Sequence, residues 1–273
     1  RCSRQPGSPS LPVFIVIDSW RFDAMNEQVS PHMARFAANN QRFMNHYSGG
    51  NATRIGMFTL FYSALSRDQH IRNAIVLGSP IDSHASGLMG LMYQRVSDVA
   101  DFVRKRTGFR LHDVKPHWFH SPGWANTIGF KLTNPIGSVM GYWELIVRLG
   151  DRDFVASHAT TSAFLDRMVA YPGGIVQDAV VRLWIDNELS KGQIQIGEDV
   201  ARLDNVNANL LAIAGDTDTL ATPGAVKRIE DHVSSKDVTF RVTPGGHMGI
   251  LAGSKAPKES WLEMAEWLAE RSN

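Results

Sequence analysis

The sequence predicts an α/β fold: a mostly parallel sheet with helices on both faces. Two observations carry this reading. Four short apolar runs, residues 13–17 (VFIVI), 71–77, 210–214 and 238–242, each stop at a turn, as buried strands do. Helical stretches separate them, and strand–helix alternation favours parallel pairing.

Residues 1–12 are rich in Arg, Ser, Pro and Gly and read as a disordered lead-in. The first strand, 13–17, ends at Asp18. Ser30-Pro31 then supplies an N-cap and a proline at the first helical position for a helix through residue 40. Residues 45–54 (NHYSGGNATR) form a turn, and 55–65 an apolar helix. After a polar joint at 66–70, the strand 71–77 runs into Gly78-Ser79-Pro80. Residues 85–200 show no strand signal. They read as a large helical cap insertion, with periodicity at 141–149, 161–170 and 174–187 and breaks at Pro116, Pro122 and Pro135. Strands 210–214 and 238–242 follow. Residues 259–270 close the chain as an amphipathic helix, with Trp261, Leu262, Met264, Ala265, Trp267 and Leu268 at helical spacing.

Composition narrows the function classes. Of 273 residues, 43% are hydrophobic and 20% charged, a globular balance. A net charge of +1 gives no electrostatic basis for nucleic-acid binding, which needs clustered cations. The basic cluster 104–106 reads as a solvated helix face. No apolar run reaches the ~20 residues of a membrane span, and no leader is read. A single cysteine, Cys2, permits no intrachain disulfide and fits a cytoplasmic setting.

The chemistry concentrates near the C-terminus. The run 210–214 breaks into GDTDTLATP, which carries Asp218, and 238–242 breaks into TPGGHMG, which carries His247. Open α/β sheets hold their reacting groups at the carboxyl ends of strands. There a carboxylate can fix the tautomer of a histidine whose other nitrogen takes a proton. Gly245-Gly246 permits the sharp turn this needs. The alternatives are local: Asp218 as a turn acid, Asp216 in its place, His247 as a surface histidine.

These segments, with the terminal WLEMAEWLAERS, resemble the C-terminal half of the polyhydroxyalkanoate synthases and their α/β-hydrolase relatives. Upstream, IRNAIVLGSPID is similar to the strand that follows the nucleophile elbow in that family. HWFHSPGWANTIGF and NPIGSVMGYWELIVRLGDRDFV resemble its helical cap. The resemblance covers about residues 71–273. It implies an α/β-hydrolase-like sheet, here incomplete, with Asp218 as the triad acid, His247 as the base and no cofactor. One part is missing. The family places Cys or Ser in G-x-[CS]-x-G on a strained strand-to-helix turn, and the sequence contains no such motif. Ser19 lacks the flanking glycines, and Ser79 and Ser86 read as turn residues.

Residues 13–65 follow a different pattern. VFIVIDSWRFDAM, SPHMARFA and RFMNHYSGGNATRIGMFTLFY resemble the start of the sulfatase/alkaline-phosphatase superfamily. That resemblance implies Asp18 as a metal ligand and Thr53 as the attacking hydroxyl at a helix N-terminus, with a divalent metal as cofactor. Its remaining metal ligands have no counterpart downstream. Asp18 also reads as a strand-end turn residue, Thr53 as a helix cap, and His32 and His46 as surface or core histidines. Residues 13–17 would extend the downstream sheet beside 71–77.

Three function classes follow: an acyltransferase or hydrolase on acyl thioesters or esters, impaired by the missing elbow; a metal-dependent phosphoryl or sulfuryl ester hydrolase; and a non-catalytic chimeric or remnant protein. In the last, the Trp-rich tract 118–149 would face a partner, a second copy in a homodimer or a lipid-granule surface; its other reading is core.

Overall fold

The computed structural model describes residues 71–271, apart from 134, 167, 197 and 198, together with Arg35 and Ala38. The chain divides into two units, Arg1–Ser48 and Gly49–Asn273, and residues 71–271 lie in the second.

Strand β1 (Asn73–Leu77) opens the described sheet. Helices α1 (Gly87–Thr107), α2 (Gly123–Thr133), α3 (Pro135–Val147), α4 (Arg152–Asp166) and the short α5 (Gly173–Gln177) follow. α5 runs on into a π-helical stretch, Asp178–Ile185, in which the Asp186 amide donates to the Val181 carbonyl at 2.8 Å. Two short strands, β2 (Gln193–Ile196) and β3 (Asp199–Arg202), form an antiparallel ribbon. Then come β4 (Asn209–Gly215), α6 (Pro223–Lys227), β5 (Val238–Thr243), α7 (Gly249–Ala252) and α8 (Ser260–Glu270).

The main sheet has the order β1-β4-β5, and both pairings are parallel. β4 lies at its centre, and its side chains from Leu210 to Gly215 are all buried. That explains its unbroken apolar sequence, because a strand covered on both faces has no polar side to present. Ala74, Val76, Leu210, Ala212 and Ala214 face one core, with Ile81, Leu183, Leu203, Val226 and Ile229. Leu211 and Ile213 face the other, against Trp267 of α8. The indole N–H of Trp267 donates to the Thr239 hydroxyl at 3.1 Å. Arg271 forks onto both carboxylate oxygens of Asp237, at 2.7 and 3.1 Å, tying the end of α8 to the start of β5.

The expected α/β class, the parallel sheet and its helices on both faces are present. The stretch read as free of strands is not: β2 and the first half of β3 lie within 85–200. Each is only four residues long and carries polar side chains, so pairing, not apolar pattern, defines it. The 174–187 helix is real but changes to π geometry at Asp178. The proposed first strand, 13–17, lies outside the described residues, as do Asp18, His32, His46 and Thr53.

Candidate active site

β4 and β5 are adjacent and parallel, so the turns that follow them emerge at the same edge of the sheet. The amide of Asp216 extends the ladder by one bond, to the Thr243 carbonyl at 3.0 Å. Beyond it the two loops close on each other. Gly215 approaches the backbone of Gly245 so nearly that a Cβ at 215 would stand 2.2 Å from the Gly245 carbonyl oxygen. Gly245 itself has φ of +130°, a conformation that L side chains avoid. Both positions therefore require glycine, one for space and one for backbone angle.

This crossing separates the two aspartates that the sequence left in competition. Asp216 turns its carboxylate to the Gly245 amide at 2.9 Å and ties the loops together. Asp218 is buried and faces the imidazole: Nδ1 of His247 lies 2.8 Å from its Oδ2. Its other oxygen, Oδ1, accepts from the amides of Leu220 and Ala221 at 2.8 and 2.9 Å. Burial is the largest influence on this carboxyl and pushes its pKa up. The hydrogen bond and charge of His247 and the two amides together outweigh it, so Asp218 is held below the usual carboxylate range.

An ionised Asp218 can only accept, so the Nδ1 that faces it carries the hydrogen. Nε2 is then the nitrogen left with a lone pair. The ring lies over the end of β1, where a Cβ on Gly78 would be 3.3 Å from Nδ1. All three strands of the main sheet thus end around one imidazole.

The acid loop is braced from the β1 side. The Ser86 hydroxyl donates to the Leu220 carbonyl at 3.0 Å, and the Thr222 hydroxyl donates to the Ala85 carbonyl at 2.9 Å. Thr222 also caps α6 through the Ala225 amide, with Pro223 at the first helical position. The sequence carried that signal, because Thr-Pro before an apolar stretch is a helix start. Ser86 gave none, since a hydroxyl in a turn has many local partners. It is buried, and its hydroxyl is engaged with the acid-bearing loop.

The sequence is similar to known polymerase subunits. Over 189 residues it is 26% identical to the poly(3-hydroxyalkanoate) polymerase subunit PhaC of Haloarcula marismortui, covering 68% of this chain and 40% of that one. Over 223 residues it is 26% identical to the subunit of the same name from Allochromatium vinosum, covering 79% and 58%. The chain therefore spans about half the length of these relatives. Among solved structures, the monoacylglycerol lipase of Paleococcus ferrophilus aligns over 78% of this chain and 64% of that one, with 14% identity and a TM-score of 0.39. No family model matches.

Proposed function

We propose that the chain belongs to an acyl-transfer or ester-hydrolysis machinery of the α/β-hydrolase type, acting on acyl thioesters or esters. The observation that carries this reading is the 2.8 Å bond between His247 Nδ1 and a buried Asp218 at the ends of two parallel strands. Asp218 orients the ring and His247 acts through Nε2. It takes a proton from the attacking hydroxyl, thiol or water as the new bond to the acyl carbon forms. It then returns that proton to the leaving alcohol or thiol. Similarity to poly(3-hydroxyalkanoate) polymerase subunits favours a 3-hydroxyacyl thioester or its polyester as the acyl source. With no G-x-[CS]-x-G in the sequence, the nucleophile is unassigned, and slow turnover by this chain alone is the expected outcome.

The test is turnover of a p-nitrophenyl ester and of a 3-hydroxyacyl-CoA by the 273-residue chain and by His247→Ala. A loss of rate in the variant supports the assignment. An unchanged rate removes His247 from the mechanism, and no turnover by the unaltered chain favours the non-catalytic reading.

That non-catalytic reading has one observation of its own. Trp118, Trp124 and Trp143 are 76%, 69% and 61% exposed, with Ile128, Leu132, Val139 and Ile146 exposed beside them in sequence. Single exposed apolar residues are ordinary, but a tract of them marks a contact surface. In this reading the 118–149 tract meets an apolar granule surface.

A further inference from the structure

A second cluster of reactive side chains lies outside the Asp218–His247 loops. His112 sits in a short helical turn, Leu111–Asp113, after α1; Asp186 and Glu188 flank the end of the π-helical stretch. One ligand-capable atom from each lies within 4.8 Å of the other two. His112 Nε2 is 2.8 Å from Asp186 Oδ2. We propose that His112, Asp186 and Glu188 form a binding site for a divalent first-row transition ion, with zinc as the reference ion.

The donor set fits such an ion. One imidazole nitrogen and two carboxylate oxygens are common zinc ligands, and three protein donors leave a fourth position for water. A tetrahedral ion with bonds of about 2.0–2.2 Å needs its donors roughly 3.3–3.6 Å apart. His112 Nε2 and Asp186 Oδ2, now 2.8 Å apart, would open by roughly half an ångström to take the ion, and Glu188 offers its oxygen within 4.8 Å of both.

The backbone behind the donors is fixed independently of them. The buried Gln177 amide nitrogen donates to the carbonyls of Leu111, His112 and Val114 at 3.0, 3.2 and 2.9 Å, pinning the turn that presents His112. Asn187, between the two acids, takes the left-handed conformation at φ +47° and points inward. There it donates to Asp82 at 2.7 Å and accepts from the Ser83 amide at 3.0 Å. Its neighbours 186 and 188 are thereby left together on the outer side. Donors on a prefixed backbone lose little freedom when they bind.

The local charge also suits a cation. Asp178, Asp186 and Glu188 stand against Arg182 and Lys191, leaving one negative charge over when the imidazole is neutral. Arg182 bonds Glu188 Oε1 at 3.2 Å and is the competitor an ion displaces; it keeps its 3.0 Å bond to Asp178. Glu188 keeps the Gln195 amide on Oε2 at 3.3 Å. Lys191 bonds the backbone carbonyl of Asp186, not its carboxylate. The ion would clamp the segment after α1 to the segment leading into β2. The site does not depend on the acyl-transfer reading.

The experiment is titration of Zn2+ into the chelator-treated 273-residue chain, followed by calorimetry and by thermal unfolding. One equivalent should bind, with a rise in Tm. His112→Ala and Glu188→Gln should each weaken binding at least tenfold while leaving the metal-free circular dichroism spectrum unchanged. No saturable binding by the unaltered chain overturns the proposal. So does binding that both variants retain at full strength, which would put the ion elsewhere, for example at Asp18.

Discussion

The hydrogen bond between Asp218 and His247 holds the acid ionised and the ring in one tautomer. Asp218→Asn keeps the shape but can donate to Nδ1, which favours the wrong tautomer; any His247-dependent turnover should fall by roughly 10^4-fold. The same bond makes a pH prediction. A carboxyl whose pKa is lowered on folding adds stability above its unfolded pKa of about 3.9, and that stability is lost as pH falls through the lower folded value. Denaturant unfolding should therefore show the unaltered chain more stable than Asp218→Asn at pH 6, with the gap closing below about pH 4. Gly215→Ala places a methyl 2.2 Å from the Gly245 carbonyl oxygen, and both are backbone-fixed. It should cost about 1–3 kcal/mol in urea unfolding. At this scale the sequence was half legible. It identified two aspartates in one turn, but which one meets the histidine depends on where β5 brings Gly245, a distance no spacing rule contains.

Elements were legible where they face a core. β4 and β5 extend their expected runs by only one or two residues; β4 is buried on both faces and so has an unbroken apolar sequence, whereas β5, VTFRVT, is only partly buried and mixes apolar with polar side chains. α8 begins one residue later than its periodicity suggested, and its Trp267 fills the second core. Trp267→Ala should cost about 3–5 kcal/mol, read from a lower urea midpoint, since it empties the contact with Leu211 and Ile213. α1 was not individually legible despite its 21 residues. Only Gly90 is buried along it, and Leu88, Met92, Val96, Val99 and Phe102 are exposed, so no core-facing stripe is sorted from a polar one. The β2–β3 ribbon escaped for the opposite reason. Its few core contacts, Ile194 and Ala201, are too sparse to mark four-residue strands.

Across the described residues, apolar surface is unevenly covered. The central strand β4 is enclosed on both faces, whereas α1 to α3 present exposed Leu, Val, Met and Trp side chains. Acrylamide should quench Trp118, Trp124 and Trp143 readily and Trp267 hardly at all, resolved by single-tryptophan variants; uniform protection of all four would refute the exposed-tract reading. The parallel sheet also sets an order of assembly. Asp218 and His247 are 29 positions apart, but the Asn73–Asn209 bond that docks β1 spans 136. Closing the longer loop costs about 1.4 kcal/mol more chain entropy. Asp218 and His247 should therefore meet within the parallel β4–α6–β5 crossover unit before β1 arrives. During refolding, the His247 ring signal should reach its native environment ahead of any signal from β1, making the pair a clock for the fold as well as its proposed centre.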